Sequence, residues 1–90
     1  MRAVIFVADD EQVIRTAIVK RLIRQGHLAT GYESGEALVQ ELEHKLPDLV
    51  LLDLKMPGIS GIEALKHVRQ VAPAALVIML TAYGTVQDAV

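Results

Sequence analysis

The ninety-residue sequence contains no cysteine, which excludes a disulfide framework, a thiolate nucleophile and a zinc–thiolate site. It also lacks a long hydrophobic run, because the longest uninterrupted apolar stretch, Ala74 to Leu80, is far too short to span a bilayer. The amino terminus does not show the basic and then apolar segments of a secretion signal. These absences predict a cytoplasmic protein that is not associated with a membrane.

A surplus of positive charge is missing as well. The formal net charge is -2, the isoelectric point is near 5.8 and the Lys and Arg residues are scattered, so direct nucleic-acid binding by this segment is not expected. No repeat, linker or low-complexity stretch interrupts the chain. With 52% apolar content, ninety residues suffice for one domain with one core, spanning residues 1–90.

Short apolar runs alternate with segments whose apolar residues recur every three or four positions. This alternation is typical of an α/β protein with a parallel sheet. The apolar runs predict strands at residues 2–8, 28–32, 48–52 and 75–80. Periodicity and capping residues predict helices at residues 11–25, 34–46 and 60–71, and a further helix that starts near residue 85. On the first helix, one face is predicted to carry Ile14, Ala17, Ile18 and Leu22.

Carboxylates stand at the ends of two predicted strands. Asp9 and Asp10 end the first apolar run, and Asp53 ends the third strand. Right-handed crossovers and a strand order of 2-1-3-4 place these two strand ends side by side at a topological switch point, where open α/β sheets bind ligands. The three carboxylates would converge there, and a hard cation such as Mg²⁺ is the usual partner of such a cluster.

Chemistry on phosphate suits this arrangement. Asp53 stands alone at its strand end, so it is the better candidate nucleophile, and Asp9 and Asp10 remain to hold the metal. A carboxylate beside the ion could attack a phosphorus atom in line, while the metal neutralises charge on the phosphoryl oxygens.

An alternative interpretation of Asp9 and Asp10 remains open. Aspartate is a favoured N-cap residue, so either one could simply start the first helix, with Gln12 reaching back to complete a capping box. The second acidic strand end, the Thr81-Ala82 pair that ends the fourth strand, and the turn at residues 56–58 favour the metal site instead.

Taken together, these motifs resemble those of the receiver domain of two-component response regulators. The resemblance covers the whole chain in order and spacing, and its motifs are Asp9-Asp10-Glu11, Leu51-Leu52-Asp53-Leu54-Lys55-Met56-Pro57-Gly58, Ser60-Gly61 and Leu80-Thr81-Ala82-Tyr83-Gly84. It implies a flavodoxin-like doubly wound fold and a regulator that accepts a phosphoryl group from a histidine kinase. Such a domain is not an enzyme beyond its intrinsic self-phosphorylation and dephosphorylation, and it switches an output domain that this chain does not contain.

The resemblance also implies a role for each matching residue. Asp53 would be the phosphoacceptor and a ligand of Mg²⁺, with Asp10 as a direct ligand and Asp9 acting more through water. The remaining implied groups are the backbone carbonyl of Lys55 as a metal ligand, Thr81 as the switch hydroxyl and the backbone amide of Ala82 as a donor to the phosphoryl group. The run from Thr81 to Thr85 is similar to receivers of the nitrogen-regulator type, which serve transcription activators.

A receiver of this family also has a fifth strand, which carries a lysine that pairs with the phosphoryl group, and a fifth helix. The sequence stops at Val90, before both, so we expect an incomplete domain. One lost electrostatic contact of this sort is worth about 3 kcal/mol, or roughly a hundredfold in rate, so phosphorylation of this chain by acetyl phosphate should be slow or undetectable. The alternative is an isolated or engineered fragment that mainly self-associates and is poorly phosphorylated.

Self-association is expected from the topology. The first helix alone would cover one face of the sheet, so outward-facing residues of the third and fourth strands would be partly bare. The fourth strand, Ala75 to Leu80, would form a sheet edge without charge or proline. We therefore expect a homo-oligomer, most simply a two-fold dimer joined near that strand and the uncovered face.

Overall fold

The computed structural model describes residues 2–56 and 58–80 of the chain. Within them, four strands and three helices alternate: β1 (Val4–Ala8), α1 (Gln12–Arg24), β2 (Leu28–Tyr32), α2 (Gly35–Glu41), β3 (Leu49–Asp53), α3 (Gly61–Val71) and β4 (Leu76–Leu80). All strand pairs are parallel and the order is β2-β1-β3-β4, which confirms the predicted topology. In these described ranges, no helix combines the length and the apolar character that crossing a membrane requires.

The helix starts follow the predicted capping residues. The Ser34 hydroxyl accepts a hydrogen bond from the Ala37 amide at 3.1 Å, and the Ser60 hydroxyl accepts one from the Glu63 amide at 3.2 Å. Each of these bonds satisfies an amide that has no partner within its helix.

The predicted end of α2 is wrong by about five residues. The regular helix stops at Glu41, and the amides of Glu43 and His44 bond to carbonyls three residues back instead of four. Pro47 disfavours a helical backbone at the residue before it, and Leu42 is already buried in the core. The last turn therefore tightens and gives way to the connection that leads into β3.

The predicted inner face of α1 is also partly wrong. Ile18 and Leu22 pack against the sheet as expected, and Val19 packs with them. Ile14 is 43% exposed and Ala17 is exposed, so neither belongs to that face.

The inner face of α1 includes Arg15 in place of the predicted Ile14. Together with the three packed residues Arg15 completes an i, i+3, i+4, i+7 stripe, and its stem crosses Gly31 of β2, where an added Cβ would lie 2.8 Å from the Arg15 Cγ. A long charged side chain thus lies on the inner face because its hydrocarbon stem packs there while its polar head reaches the sheet edge.

The two faces of the sheet are covered unequally. Helices α2 and α3 pack on one face over a core that includes Phe6, Leu38, Leu52 and Val68. On the other face α1 packs over β1, while Leu76 and Ile78 of β4 are 70% and 50% exposed. The predicted exposure of apolar residues on this face is therefore confirmed for β4.

Candidate metal centre

The ends of β1 and β3 bring the three predicted carboxylates together. Asp9 directly follows β1, Asp53 is the last residue of β3, and the two strands pair with Ala8 opposite Leu52. One carboxylate oxygen each from Asp9, Asp10 and Asp53 lies within 4.8 Å of the others. Asp9 and Asp53 are buried and Asp10 is exposed, so the cluster is open to solvent on the Asp10 side.

Three hydrogen bonds hold Asp9, one to β2 and two from the first residues of α1 and its N-cap. The Asp9 amide donates to the Tyr32 carbonyl at 3.1 Å, and its Oδ1 accepts from the Glu11 amide at 2.9 Å. Its carbonyl accepts from a guanidinium nitrogen of Arg15 at 2.8 Å. Because the N-cap of α1 is Glu11 and no side chain caps it, the interpretation of Asp9 or Asp10 as a helix cap is wrong.

The Asp53 side chain is bonded to the loop that follows β3, and the pKa of its carboxyl is raised. Its Oδ1 accepts a hydrogen bond from the Lys55 amide at 3.1 Å. Burial raises the pKa of the Asp53 carboxyl, and the negative charges of Asp9 and Asp10 raise the pKa further, although the Lys55 amide acts in the opposite direction.

This donor set fits a divalent cation. It consists of carboxylate oxygens that a hard ion prefers, two of them buried, with the third beside solvent that could supply water ligands. A bound dication would also offset the mutual repulsion that raises the Asp53 pKa.

Gly61 sets how close α3 comes to the site. A Cβ on this residue would lie 2.6 Å from the Asp53 carbonyl oxygen and 2.8 Å from the Leu54 Cα, both of them backbone atoms. The Gly61 amide donates to the Leu54 carbonyl at 3.3 Å. A glycine is therefore required where α3 begins, because the helix start touches the end of β3.

Two residues of the site surroundings were not identified from the sequence, Arg15 and Glu36. Arg15 could have been found, since it lies on one helical stripe with Ile18 and Leu22. Glu36 bonds to the backbone of Ile59, 23 residues along the chain, and no local pattern connects the two. The predicted residues Thr81 and Ala82 lie outside the described residues.

Known proteins are similar to this chain in sequence. The sequence model of the response regulator receiver domain matches residues 5–90. The chain belongs to the response regulator receiver domain family. Receiver domains are signalling domains, so the predicted class of function is confirmed.

The receiver is similar in sequence to a longer transcription regulator. The DNA-binding transcriptional regulator NtrC of Escherichia coli (strain K12) is 35% identical over 89 residues, which cover 99% of this chain and 19% of NtrC. The chain therefore spans about one fifth of the length of this relative.

Solved receivers share the fold. The response regulator TrrA of Thermotoga maritima, solved in complex with Mg(2+)-BeF, superposes with a TM-score of 0.83 at 38% identity, covering 93% of this chain and 72% of TrrA. TrrA solved in complex with the histidine kinase ThkA gives a TM-score of 0.84 at 37% identity, covering 97% and 74% of the two chains. These structures confirm the predicted fold class.

Proposed function

We propose that this receiver accepts a phosphoryl group from a histidine kinase on Asp53, with Mg²⁺, in the cytoplasm, and thereby switches an output domain that controls transcription. The observation that carries the proposal is the convergence of Asp9, Asp10 and Asp53 at the paired ends of β1 and β3. Its support from relatives is the ThkA–TrrA complex and the Mg(2+)-BeF complex of TrrA.

Four groups of the chain would hold the ion: the carboxylates of Asp10 and Asp53, the backbone carbonyl of Lys55, and Asp9 through a water molecule. The indirect role of Asp9 agrees with its Oδ1 being engaged by the Glu11 amide. When bound, the cation supplies positive charge to the oxygens of the transferring phosphoryl group.

In the transfer, an Asp53 carboxylate oxygen attacks phosphorus in line, and the bond between phosphorus and the kinase imidazole nitrogen breaks. The electron pair of that bond stays on the imidazole, which then takes up a proton from solvent. The Lys55 amide holds the Asp53 carboxylate in one orientation for this attack. In the same proposal, Thr81 and the Ala82 amide contact the phosphoryl group, and water later hydrolyses the acyl phosphate.

Titration with Mg²⁺ tests the site. We expect weak binding that moves the amide resonances of residues 9, 10 and 53 together, because the site combines several carboxylates with an open position. Asp10→Asn and Asp53→Asn should each weaken binding by about tenfold or more. Glu11→Gln is the matched control, since Glu11 is exposed and stands outside the cluster. An unchanged affinity and shift pattern in Asp53→Asn would show that the proposed site is wrong.

For the ninety-residue chain we also propose a homo-oligomer, most simply a two-fold dimer. β4 is the outer strand of the described sheet, and its exposed Leu76 and Ile78 lie on the α1 face of the sheet, beyond the part that α1 covers. Pairing of two such strands would satisfy edge hydrogen bonds and remove both side chains from water.

Light scattering during gel filtration is expected to show this dimer at tens of micromolar. Ile78→Lys should shift it to a folded monomer, because the new charge would lie in the interface. Val77→Lys is a contrasting variant that should unfold the chain, since Val77 packs against the core on the opposite face. A wild-type chain that elutes as a stable monomer would contradict the dimer without bearing on phosphorylation.

A further inference from the structure

The loop that connects β3 to α3, residues 54–60, is attached to α2 through Glu36. The Glu36 Oε2 accepts a hydrogen bond from the Ile59 amide at 3.2 Å. The same carboxylate lies against the Cα of Gly58, where an added Cβ would overlap it. Gly58 has a φ of 84°, a backbone conformation that favours glycine. Two separate features therefore favour glycine at position 58: its backbone conformation, and the Glu36 carboxylate that occupies the space a side chain would need.

The first turn of α2 is fixed by a close contact with the loop and by a serine cap. Gly35 is buried against the loop, and a Cβ there would come within 2.9 Å of the Ile59 Cγ1. The Ser34 hydroxyl caps this turn through the Ala37 amide. Glu36 therefore extends from a fixed helix start that already touches the loop beside it.

The anchored loop is the one that leads away from the candidate metal centre. Lys55 lies at its beginning and donates its amide to the Asp53 Oδ1 at 3.1 Å. Further along the loop, the Glu36 bond to Ile59 ties the backbone to a second helix. Any displacement of the loop would move the Lys55 peptide group relative to Asp53.

We infer that Glu36 is a positioning residue for the metal centre, which holds the β3–α3 loop so that the Lys55 carbonyl faces the ion. Glu36 is not a member of the carboxylate cluster, so it acts through the backbone of the loop. The inference rests on the proposed function, because it takes the Lys55 carbonyl as a Mg²⁺ ligand. Gly58 would contribute by leaving room for the Glu36 carboxylate next to its Cα.

Mg²⁺ titrations of Glu36→Ala and Glu36→Gln test the inference, with the Ile59 amide as a second readout. Glu36→Ala should raise the dissociation constant by roughly three- to tenfold, somewhat less than the roughly tenfold or more that follows the loss of a side chain bonded directly to a metal ligand, because Glu36 acts through the loop backbone. It should also speed hydrogen exchange of the Ile59 amide without metal. Glu36→Gln should recover most of the affinity, because its amide oxygen can accept the same hydrogen bond.

Glu33→Ala is the matched control, since this neighbouring glutamate is exposed and its side chain forms no hydrogen bond with the described residues. It removes one nearby negative charge and should leave the affinity nearly unchanged. Equal losses in Glu36→Gln and Glu36→Ala, or in Glu33→Ala and Glu36→Ala, would overturn the inference in favour of a general charge effect. Wild-type affinity in Glu36→Ala would overturn it as well, whereas a wild type that binds no Mg²⁺ would contradict the proposed function itself.

Gly58→Ala provides an independent check. It should weaken Mg²⁺ binding by displacing the Glu36 carboxylate, and the additional loss should be smaller in the Glu36→Ala background, because the two changes disrupt one contact. Equal losses in both backgrounds would overturn the pairing of Glu36 with Gly58.

Discussion

Asp53→Asn is expected to abolish labelling of the chain by acetyl phosphate in the presence of Mg²⁺. The amide has no carboxylate oxygen to form an acyl phosphate, so the loss should be at least about a thousandfold when product is followed for hours by mass spectrometry. Asp48→Asn is the control, because Asp48 precedes β3, at the opposite end of that strand from Asp53, where it accepts the Val4 amide at 2.8 Å. Labelling that persists in Asp53→Asn would place the phosphoacceptor elsewhere.

The same substitution should stabilise the fold at neutral pH when no divalent metal is present. The folded structure raises the pKa of Asp53, mainly by burial and then by the charges of Asp9 and Asp10. A raised pKa favours the protonated form in the folded state, so the contribution to stability is fully present below the ordinary pKa of 3.8 and is lost as the pH rises through the raised value. Ionised Asp53 thus lowers the free energy of unfolding at pH 7.

The expected gain for Asp53→Asn is about 0.5–2 kcal/mol at pH 7, which corresponds to roughly 4–8 °C in Tm for each kcal/mol. The difference between variant and wild type should disappear near pH 3, where Asp53 is protonated in both states. Mg²⁺ should reduce the difference at pH 7, because it binds and stabilises the folded wild type. A variant less stable than wild type at pH 7 without metal would contradict the proposed repulsion.

Gly61→Ala is expected to destabilise the fold by about 3 kcal/mol, at the upper end of the usual cost of overpacking. The new Cβ would meet the Asp53 carbonyl oxygen at 2.6 Å and the Leu54 Cα at 2.8 Å, and backbone atoms cannot move aside as a flexible side chain can. Relief requires α3 to move away from the end of β3. Chemical denaturation should report the loss of stability, and Mg²⁺ affinity should fall with it.

Gly35→Ala is a matched control for this substitution. Both glycines are buried first residues of helices that a serine caps, but a Cβ on Gly35 would meet only side chains, those of Ile59 and Ala64. Alanine is also favoured over glycine within a helix, so the net cost should be below about 1 kcal/mol. Equal costs for the two substitutions would show that the approach of α3 to Asp53 is not a rigid requirement of the fold.

Local sequence patterns were sufficient to predict the order of elements and the meeting point of the carboxylates. Strand-length apolar runs, serine caps and helical periodicity are properties of neighbouring residues, and the right-handed crossover rule then leaves few topologies. Once the strands are parallel in the order 2-1-3-4, Asp9 and Asp53 must lie at adjacent strand ends. The acidic cluster therefore follows from the positions of three residues in the chain.

Contacts between distant segments decided the rest. Hydrophobicity alone placed Ile14 on the inner face of α1, whereas packing of the Arg15 stem across Gly31 turned the helix so that Ile14 is partly exposed. The attachment of Glu36 to Ile59 likewise depends on two segments that meet only in the folded chain. The sequence by itself determined the topology and the acidic cluster, because these depend on local order. Only the tertiary structure decided how α1 is rotated and how the loop beside Asp53 is held, because these depend on side-chain shape across the core.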